Sequence, residues 1–480
     1  MLASCGTNGG TSNTDPTIDE STTTTEVPRL EWKACTSNSE LDCARLAVPF
    51  DYADATKGSF SLKIVRRPAD NQATKVGSML VNPGGPGFGG SFLAESAGSY
   101  FSSELVSRFD IIGWDPRGTG ESTPAVDCID DYDKYFAVDP TPSDQQQKDE
   151  LVDASKEFAV ECEARSASIL PHISTNNTAR DMDTIRRALG EDKISYFGFS
   201  YGSELGATWA TLFPSTVRAA VLDGAVDPAA DYMEVGLQQA RGFESELTKF
   251  LARCSRTATC AFHNSGKAEA AFDRLMKKLD AQPLTVARGR TPVNLAVAMV
   301  AVSQAMYSSS IWGELESALA GAQKGDGSGL LALNDSYFER NSDGTYGNAL
   351  EAFLAISCLD DPGPSTVAGV DEYLPRFKEA APRLWPGFTS GYACQFWPAP
   401  TDLRVTITGA GAGPIVVIGT TGDAATPLVG TRKMASALED GRLIVVSANR
   451  HTGYGVNACV VKATDDYLIS TTIDFSEKSC

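Results

Sequence analysis

Histidine is scarce in this sequence: the 480 residues contain three, His172, His263 and His451. No Cys-x-x-Cys pair occurs either. With so few imidazoles and no paired thiol motif, no metal site is expected. Long apolar runs are also missing. None reaches the ~18 residues that a bilayer-spanning helix requires, so no helix is expected to cross a membrane. Positive charge is in deficit, with 41 Lys and Arg against 61 Asp and Glu, a net charge of −20. Nucleic acids and anionic membrane surfaces would repel such a chain, so neither is an expected partner surface.

What is present is the composition of a globular protein. Hydrophobic residues make up 42% and charged residues 21%, and 480 residues suffice for a large core. The length corresponds to roughly three domain-sized units at most.

Cysteine is plentiful and odd in number, at eleven. Cys5 stands apart, in Met1-Leu2-Ala3-Ser4-Cys5-Gly6. Leu-Ala-Ser-Cys resembles a bacterial lipobox, whose cysteine carries the lipid, although the charged and apolar parts of a signal peptide do not precede it here. The segment that follows, to residue 28, is rich in Thr, Ser, Gly and acids. It suits a disordered tether between a lipid and a folded body. The remaining ten cysteines fall into sequence neighbours: Cys35/Cys43, Cys128/Cys162, Cys254/Cys260, Cys358/Cys394 and Cys459/Cys480. Five local disulfides are the simplest arrangement, with other connectivities left open. Disulfides imply export. The expected location is therefore extracytoplasmic, either secreted or lipid-anchored through Cys5 to the outer face of a bacterial cell membrane.

Short apolar runs bounded by turns recur: Leu46 to Pro49, Ser61 to Arg66, Ser78 to Val81, Phe109 to Trp114, Ile194 to Phe199, Ala219 to Leu222, Ile415 to Ile418 and Leu443 to Val446. Most are rich in Val, Ile and Leu, as strands buried on both faces are. Helical patterns lie between them, at Ala179 to Leu189, Leu205 to Phe213 and Pro427 to Leu438. Alternating strands and helices define an α/β class with a mostly parallel central sheet flanked by helices. From about 228 to 400 the pattern is mainly helical: Glu234 to Cys254, Lys267 to Leu279, Leu295 to Met306, Trp312 to Lys324, Ala349 to Ile356 and Val370 to Ala381. The expected organisation is a tether (1–28), a first core part (29–227), a helical lid (228–400) and a second core part (401–480). A lid so inserted would cover the sheet's carboxyl edge, where open α/β sheets hold ligands.

The chemistry begins at Gly198-Phe199-Ser200-Tyr201-Gly202, a G-x-S-x-G pattern that follows one strand and opens a helix. Such a turn exposes a serine hydroxyl in strained geometry, beside a helix N-terminus that favours negative charge. A serine needs a base. His172 precedes it and His263 sits beside Cys260, whereas His451 follows the last long apolar strand in Asn449-Arg450-His451-Thr452. The order Ser, acid, His places the acid after the preceding strand, at Asp423; Asp402 and Asp440 fit worse. Oxyanion donors are expected at the backbone N–H of Tyr201 and of Gly85, with Gly84 the alternative, in Asn82-Pro83-Gly84-Gly85-Pro86-Gly87. The same glycines formally read G-x-G-x-x-G (Gly85, Gly87, Gly90), but Pro86 removes an N–H and Asp110 and Asp115 are poorly placed for a ribose. No cofactor is expected.

These residues, with Asp115-Pro116-Arg117-Gly118-Thr119-Gly120, Leu222-Asp223-Gly224-Ala225-Val226-Asp227-Pro228, Ile356-Ser357-Cys358-Leu359-Asp360 and Cys394-Gln395-Phe396-Trp397-Pro398, resemble the α/β-hydrolase family of proline iminopeptidases and secreted actinobacterial tripeptidyl aminopeptidases. The resemblance runs from about Trp32 to Cys480. One departure is Arg450, where many relatives have glycine before the histidine. The resemblance implies an α/β-hydrolase fold and a serine exopeptidase that cuts short peptides from a free N-terminus. Such an enzyme needs acidic groups for the substrate ammonium, and Asp360, Asp361 and Glu204 are the candidates. Two other readings share the scaffold: a carboxylesterase with the same triad but no ammonium site, and a non-catalytic envelope binding protein, which the intact Ser200, Asp423 and His451 argue against. A peptide substrate is the expected partner, and the chain is expected to be a monomer.

Overall fold

In a computed structural model, residues 29–286, 289–388, 392–398 and 402–480 are described; Cys5 and the expected tether lie outside them. Ten strands form: β1 Lys33–Ala34, β2 Asp42–Asp51, β3 Asp54–Arg67, β4 Gly77–Asn82, β5 Phe109–Trp114, β6 Ile194–Phe199, β7 Val217–Asp223, β8 Ile415–Thr420, β9 Gly441–Val446 and β10 Glu477–Ser479. They make one sheet in the order β1-β2-β3-β5-β4-β6-β7-β8-β9-β10. The first three strands and the β3–β5 pair are antiparallel. Every pair from β5 to β10 is parallel.

The parallel strands read as continuous apolar runs because both faces are covered. On β4, Leu80 faces one cluster with Leu205 and Trp209. Its neighbours Met79 and Val81 face another, with Leu93, Leu105 and Leu468. A third cluster fills the helical insert between β7 and β8, built on Leu237, Phe250, Phe272, Val302 and Leu319.

The insert contains the helices Tyr232–Arg256, Ala268–Ala281, Leu295–Met306, Trp312–Gln323, Ser328–Tyr337 and Ala349–Asp360. The single helix expected over 370–381 is instead two, Val367–Asp371 and Leu374–Ala380, with Pro375 in the first turn of the second. Proline has no N–H and clashes with the preceding turn, so the helix restarts there. The helix Gln145–Ser166, capped by Asp144, has no counterpart in the sequence reading. Its apolar residues are too sparse among Gln, Lys, Asp and Glu to mark a stripe.

Side-chain contacts cross the divisions expected at 228 and 400. Leu151 of Gln145–Ser166 and the core residues Ala424 and Ala425 join the insert's cluster. Conversely, Ala352, Ala355, Ile356 and Leu359 of Ala349–Asp360 join a sheet cluster. Sulfur–sulfur bonds join Cys35 to Cys43, Cys128 to Cys162, Cys254 to Cys260, Cys358 to Cys394 and Cys459 to Cys480.

One ion pair is wholly enclosed. Arg117 and Asp181 side chains are both 0% exposed. Arg117 Nε and Nη2 donate to Asp181 at 2.7 and 2.5 Å, and its Nη1 donates to the carbonyls of His172 and Phe50. Tyr52 OH donates to Asp181 at 2.7 Å. The pair thus ties β2 and the Asp115–Gly120 loop to the helix Thr175–Leu189. Arg117→Met would strand a buried carboxylate and the carbonyls of His172, Phe50 and Pro49. Urea unfolding is expected to show a loss of roughly 3–5 kcal/mol with little change in slope. An unchanged midpoint would contradict this account.

Candidate active site

β6 ends at Phe199 and the helix Tyr201–Leu212 begins two residues later. Ser200 lies between them at φ 55°, ψ −125°. Its N–H donates to the Asp223 carbonyl at the end of β7, at 2.7 Å. The flanking glycines are a steric demand. A Cβ on Gly198 would sit 2.2 Å from the Gly202 carbonyl oxygen, and one on Gly202 would sit 2.9 Å from Asn82 Oδ1.

Asp423 follows β8 and His451 follows β9, so both reach the same carboxyl edge. Asp423 Oδ1 and Oδ2 lie 2.9 and 3.0 Å from His451 Nδ1. Three further N–H groups hold the carboxylate: Ala425 and Thr426 donate to Oδ1, and Thr452 to Oδ2. Thr426 Oγ1 lies 3.2 Å from the same imidazole nitrogen. Burial pulls the His451 pKa down, but the charge and hydrogen bond of Asp423 outweigh it, and the net shift is upward.

Asp223 accepts N–H bonds from Gly453 and Tyr454, at 2.7 and 2.8 Å, so it holds the loop just beyond His451. Burial pushes its carboxyl up to about 6, against those two bonds and the nearby imidazole. No hydrogen bond joins the Ser200 hydroxyl to His451. The two flank one stretch of chain: Ser200 bonds the Asp223 carbonyl, and a Cβ on Gly224 would meet His451 Cε1 at 3.2 Å.

Two N–H groups near Ser200, those of Tyr201 and Gly85, find no acceptor among the described residues. The alternative donor Gly84 is excluded, because its N–H is spent on Asn82 Oδ1 at 2.9 Å. Gly84 instead permits contact: a Cβ there would lie 2.8 Å from Ser200 Cβ. The close approach that Gly87 allows is taken by the chain itself. A Cβ there would meet the Ala349 carbonyl at 2.2 Å.

Ser200, Tyr201 and Gly85 open onto a cavity of about 330 Å³ beneath the insert, which Glu204, Asp360, Asp361 and Arg404 also line. Val226, Met233, Phe353, Phe377 and Phe388 supply apolar wall. The three candidate acids are not equivalent. Glu204 pairs with Arg404 at 2.7 Å. Asp361 accepts N–H bonds from Tyr232 and Gly363 and lies 3.7 Å from Arg404. Asp360 has no ion-pair partner among the described residues. It accepts the Thr175 N–H at 2.9 Å and the Thr175 hydroxyl at 2.5 Å. Burial raises its carboxyl to about 7, against those bonds and with help from the nearby Glu204 charge. Thr175 Oγ1 also contacts the Tyr201 hydroxyl.

Sequence reasoning gave no role to Thr175, Arg404 or Thr426, and quoted Asp223 only as part of a motif. The Asp423-x-x-Thr426 spacing is a local capping pattern that could have flagged Thr426. Nothing local flags Arg404. Among the described residues one cluster has metal-ligand spacing, Cys254, Cys260 and Glu316, but both sulfurs are in a disulfide. No helix among the described residues is long and apolar enough to cross a membrane.

A hydroxyl presented on a strained turn, with an acid-backed imidazole on a neighbouring loop, marks the serine hydrolases of α/β type. The chain belongs to the alpha/beta hydrolase fold family, whose pattern matches residues 77–458. It is similar to "Serine protease Hip1" of Mycobacterium tuberculosis, at 34% identity over 474 residues, covering 94% of this chain and 91% of that protein. It is equally similar to "Carboxylesterase B" of the same organism, at 34% over 479 residues, covering 95% and 90%. "Tripeptidyl aminopeptidase" of Streptomyces coelicolor is 29% identical over 473 residues, covering 94% and 86%.

The electrostatics make a titration prediction. Of the three imidazoles, His451 is expected to titrate above the ordinary ~6.5 and the partly buried His172 below it. Asp423→Asn removes the charge that raises His451, so its midpoint falls. NMR titration of the wild type and this variant checks both directions; an unmoved His451 midpoint would break the assignment.

Proposed function

We propose that this chain is an exported serine aminopeptidase that releases di- or tripeptides from free N-termini through an acyl-enzyme. Ser200 Oγ attacks the scissile carbonyl while His451 takes its proton and Asp423 holds the imidazole. The Tyr201 and Gly85 N–H groups stabilise the oxyanion. His451 then gives the proton to the departing amine, and water, deprotonated by His451, hydrolyses the ester. The Ser200–His451 hydrogen bond forms as substrate binds, since catalytic hydrogen bonds commonly tighten in the bound complex. Five disulfides support an extracytoplasmic location, and Leu2-Ala3-Ser4-Cys5 supports lipid attachment at Cys5.

The observation that carries the aminopeptidase reading is Asp360, a buried carboxylate in the cavity of Ser200 that has no ion-pair partner among the described residues and feels the Arg404 charge only at a distance. A substrate ammonium would supply one. Of the three candidate acids, Arg404 already serves Glu204 and Asp361, which leaves Asp360 as the ammonium anchor. That same neutralisation by Arg404 favours the carboxylesterase as a second reading, as does the relative of that name.

Tripeptide anilides with free and N-acetylated ends separate the two. Asp360→Asn is expected to lower kcat/KM on the free peptide by roughly 10- to 100-fold, the worth of a hydrogen bond to a charged group. It should leave a simple ester nearly unaffected. The peptide rate needs both ionised Asp360 and neutral His451, so it rises with pH through about 7. It falls again above ~8 as the substrate ammonium deprotonates. The ester should show the His451 limb alone. Equal turnover of free and acetylated peptides would end the aminopeptidase reading and favour the esterase.

A further inference from the structure

Arg450, the residue that departs from the family pattern, lies in a loop gripped from two sides. From the core, Thr420 Oγ1 donates to the Arg450 carbonyl at 2.6 Å. From the insert, the segment after the helix Leu295–Met306 runs antiparallel beside Asn449-Arg450-His451, with a bridge between Ser308 and Arg450. The His451 N–H donates to the Tyr307 carbonyl at 2.8 Å, and the Ser309 N–H donates to the Asn449 carbonyl at 3.2 Å. The Tyr307 ring meets the imidazole edge to face, with centroids 5.6 Å apart. A second insert element reaches the same loop: Lys249 Nζ, paired with Glu246, donates to Asn449 Oδ1 at 3.2 Å.

A cover over a pocket needs no contact with the catalytic base. Here the insert bonds the backbone of that base and touches its ring. We infer that the helical insert positions His451, with Tyr307 and the Ser309 N–H as the positioning groups. The inference rests on the triad reading above. Without the insert the loop would still be held by Thr420, Asp423 and Asp223, but the His451 N–H and the Asn449 carbonyl would lose the partners they have here. The two backbone bonds to the insert add restraint at Asn449 and at His451 itself, so the docked insert helps to fix where the imidazole stands. Arg450 fits the same account, because a residue with a side chain is stiffer than glycine in this extended pairing.

Ser309→Pro tests it. Ser309 opens a short 3-10 helix, and Ser308 at φ −156°, ψ 134° is already extended, as a residue before proline prefers. The substitution therefore removes the N–H with little other change, and Ser309→Ala keeps it. Two quantities are measured: kcat and KM on a free tripeptide anilide, and the rate at which a fluorophosphonate probe labels Ser200. Ser309→Ala should stay within about twofold of wild type, whereas Ser309→Pro should lose roughly fivefold or more in kcat and in labelling rate at unchanged KM, the scale of one hydrogen bond. Tyr307→Leu should behave like Ser309→Pro, and Tyr307→Phe, which keeps the ring, like wild type. This second pair decides the matter if Ser309→Pro does not fold. Unchanged kcat and labelling, or a raised KM at unchanged kcat, would make the insert a mere cover and overturn the inference. Wild-type protein that the probe never labels would sink the triad reading itself, and the inference with it.

Discussion

Residue 200 is held in a backbone region that costs an L-residue of order 1–3 kcal/mol, and the surrounding structure must over-determine it. The Ser200 N–H bond to the Asp223 carbonyl supplies one restraint, and the parallel pairing of β6 with β7 aligns the two residues for it. Gly198 and Gly202 make the turn sterically open, and Asn82 Oδ1 fixes the Gly84 turn against its outer side. Move any of these and the hydroxyl leaves the carboxyl edge where Asp423 and His451 arrive. The Tyr201 N–H, which finds no acceptor among the described residues, is a consequence of the same turn.

The insert belongs to the foundation of the site as much as to its roof. The helix Tyr232–Arg256 lies so close to the acid loop that a Cβ on Gly242 would sit 2.3 Å from the Ala424 carbonyl oxygen. Ala424 and Ala425, just after Asp423, are buried in the insert's own apolar cluster. In the other direction, Ala349–Asp360 contributes side chains to the sheet's cluster and carries Asp360 into the cavity. Core and insert therefore share a boundary at which neither acid loop nor histidine loop is held by one side alone.

Charge in the cavity is set by numbers and position. Three carboxylates face one guanidinium, and Arg404 takes Glu204 and Asp361. The leftover Asp360 is buried, its hydrogen bonds among the described residues come from Thr175, and burial raises its carboxyl to about 7. Thr175 links it to the hydroxyl of Tyr201, the residue that follows Ser200. Asp360 and the Tyr201 hydroxyl are thus two side-chain hydrogen bonds apart.

The turn around Ser200 was legible in the sequence because its demands are local: two glycines, a strand before and a helix after. Asp423 and His451 were legible for a related reason, since each follows an apolar strand and chain order alone selects them. The helix Gln145–Ser166 was hidden because its stability comes from a few buried residues such as Leu151 and Phe158, with no apolar stripe to announce it. The inequality of the three acids was hidden more deeply. Glu204 and Arg404 are 200 positions apart in the chain, and Tyr307 lies far from His451 in the same sense. By itself the sequence determined the class of fold and picked out the candidate serine, acid and histidine, because backbone sterics and chain order are written in neighbouring residues. Only the tertiary structure decided which acid is left free and what holds the imidazole, because those depend on which distant loops meet.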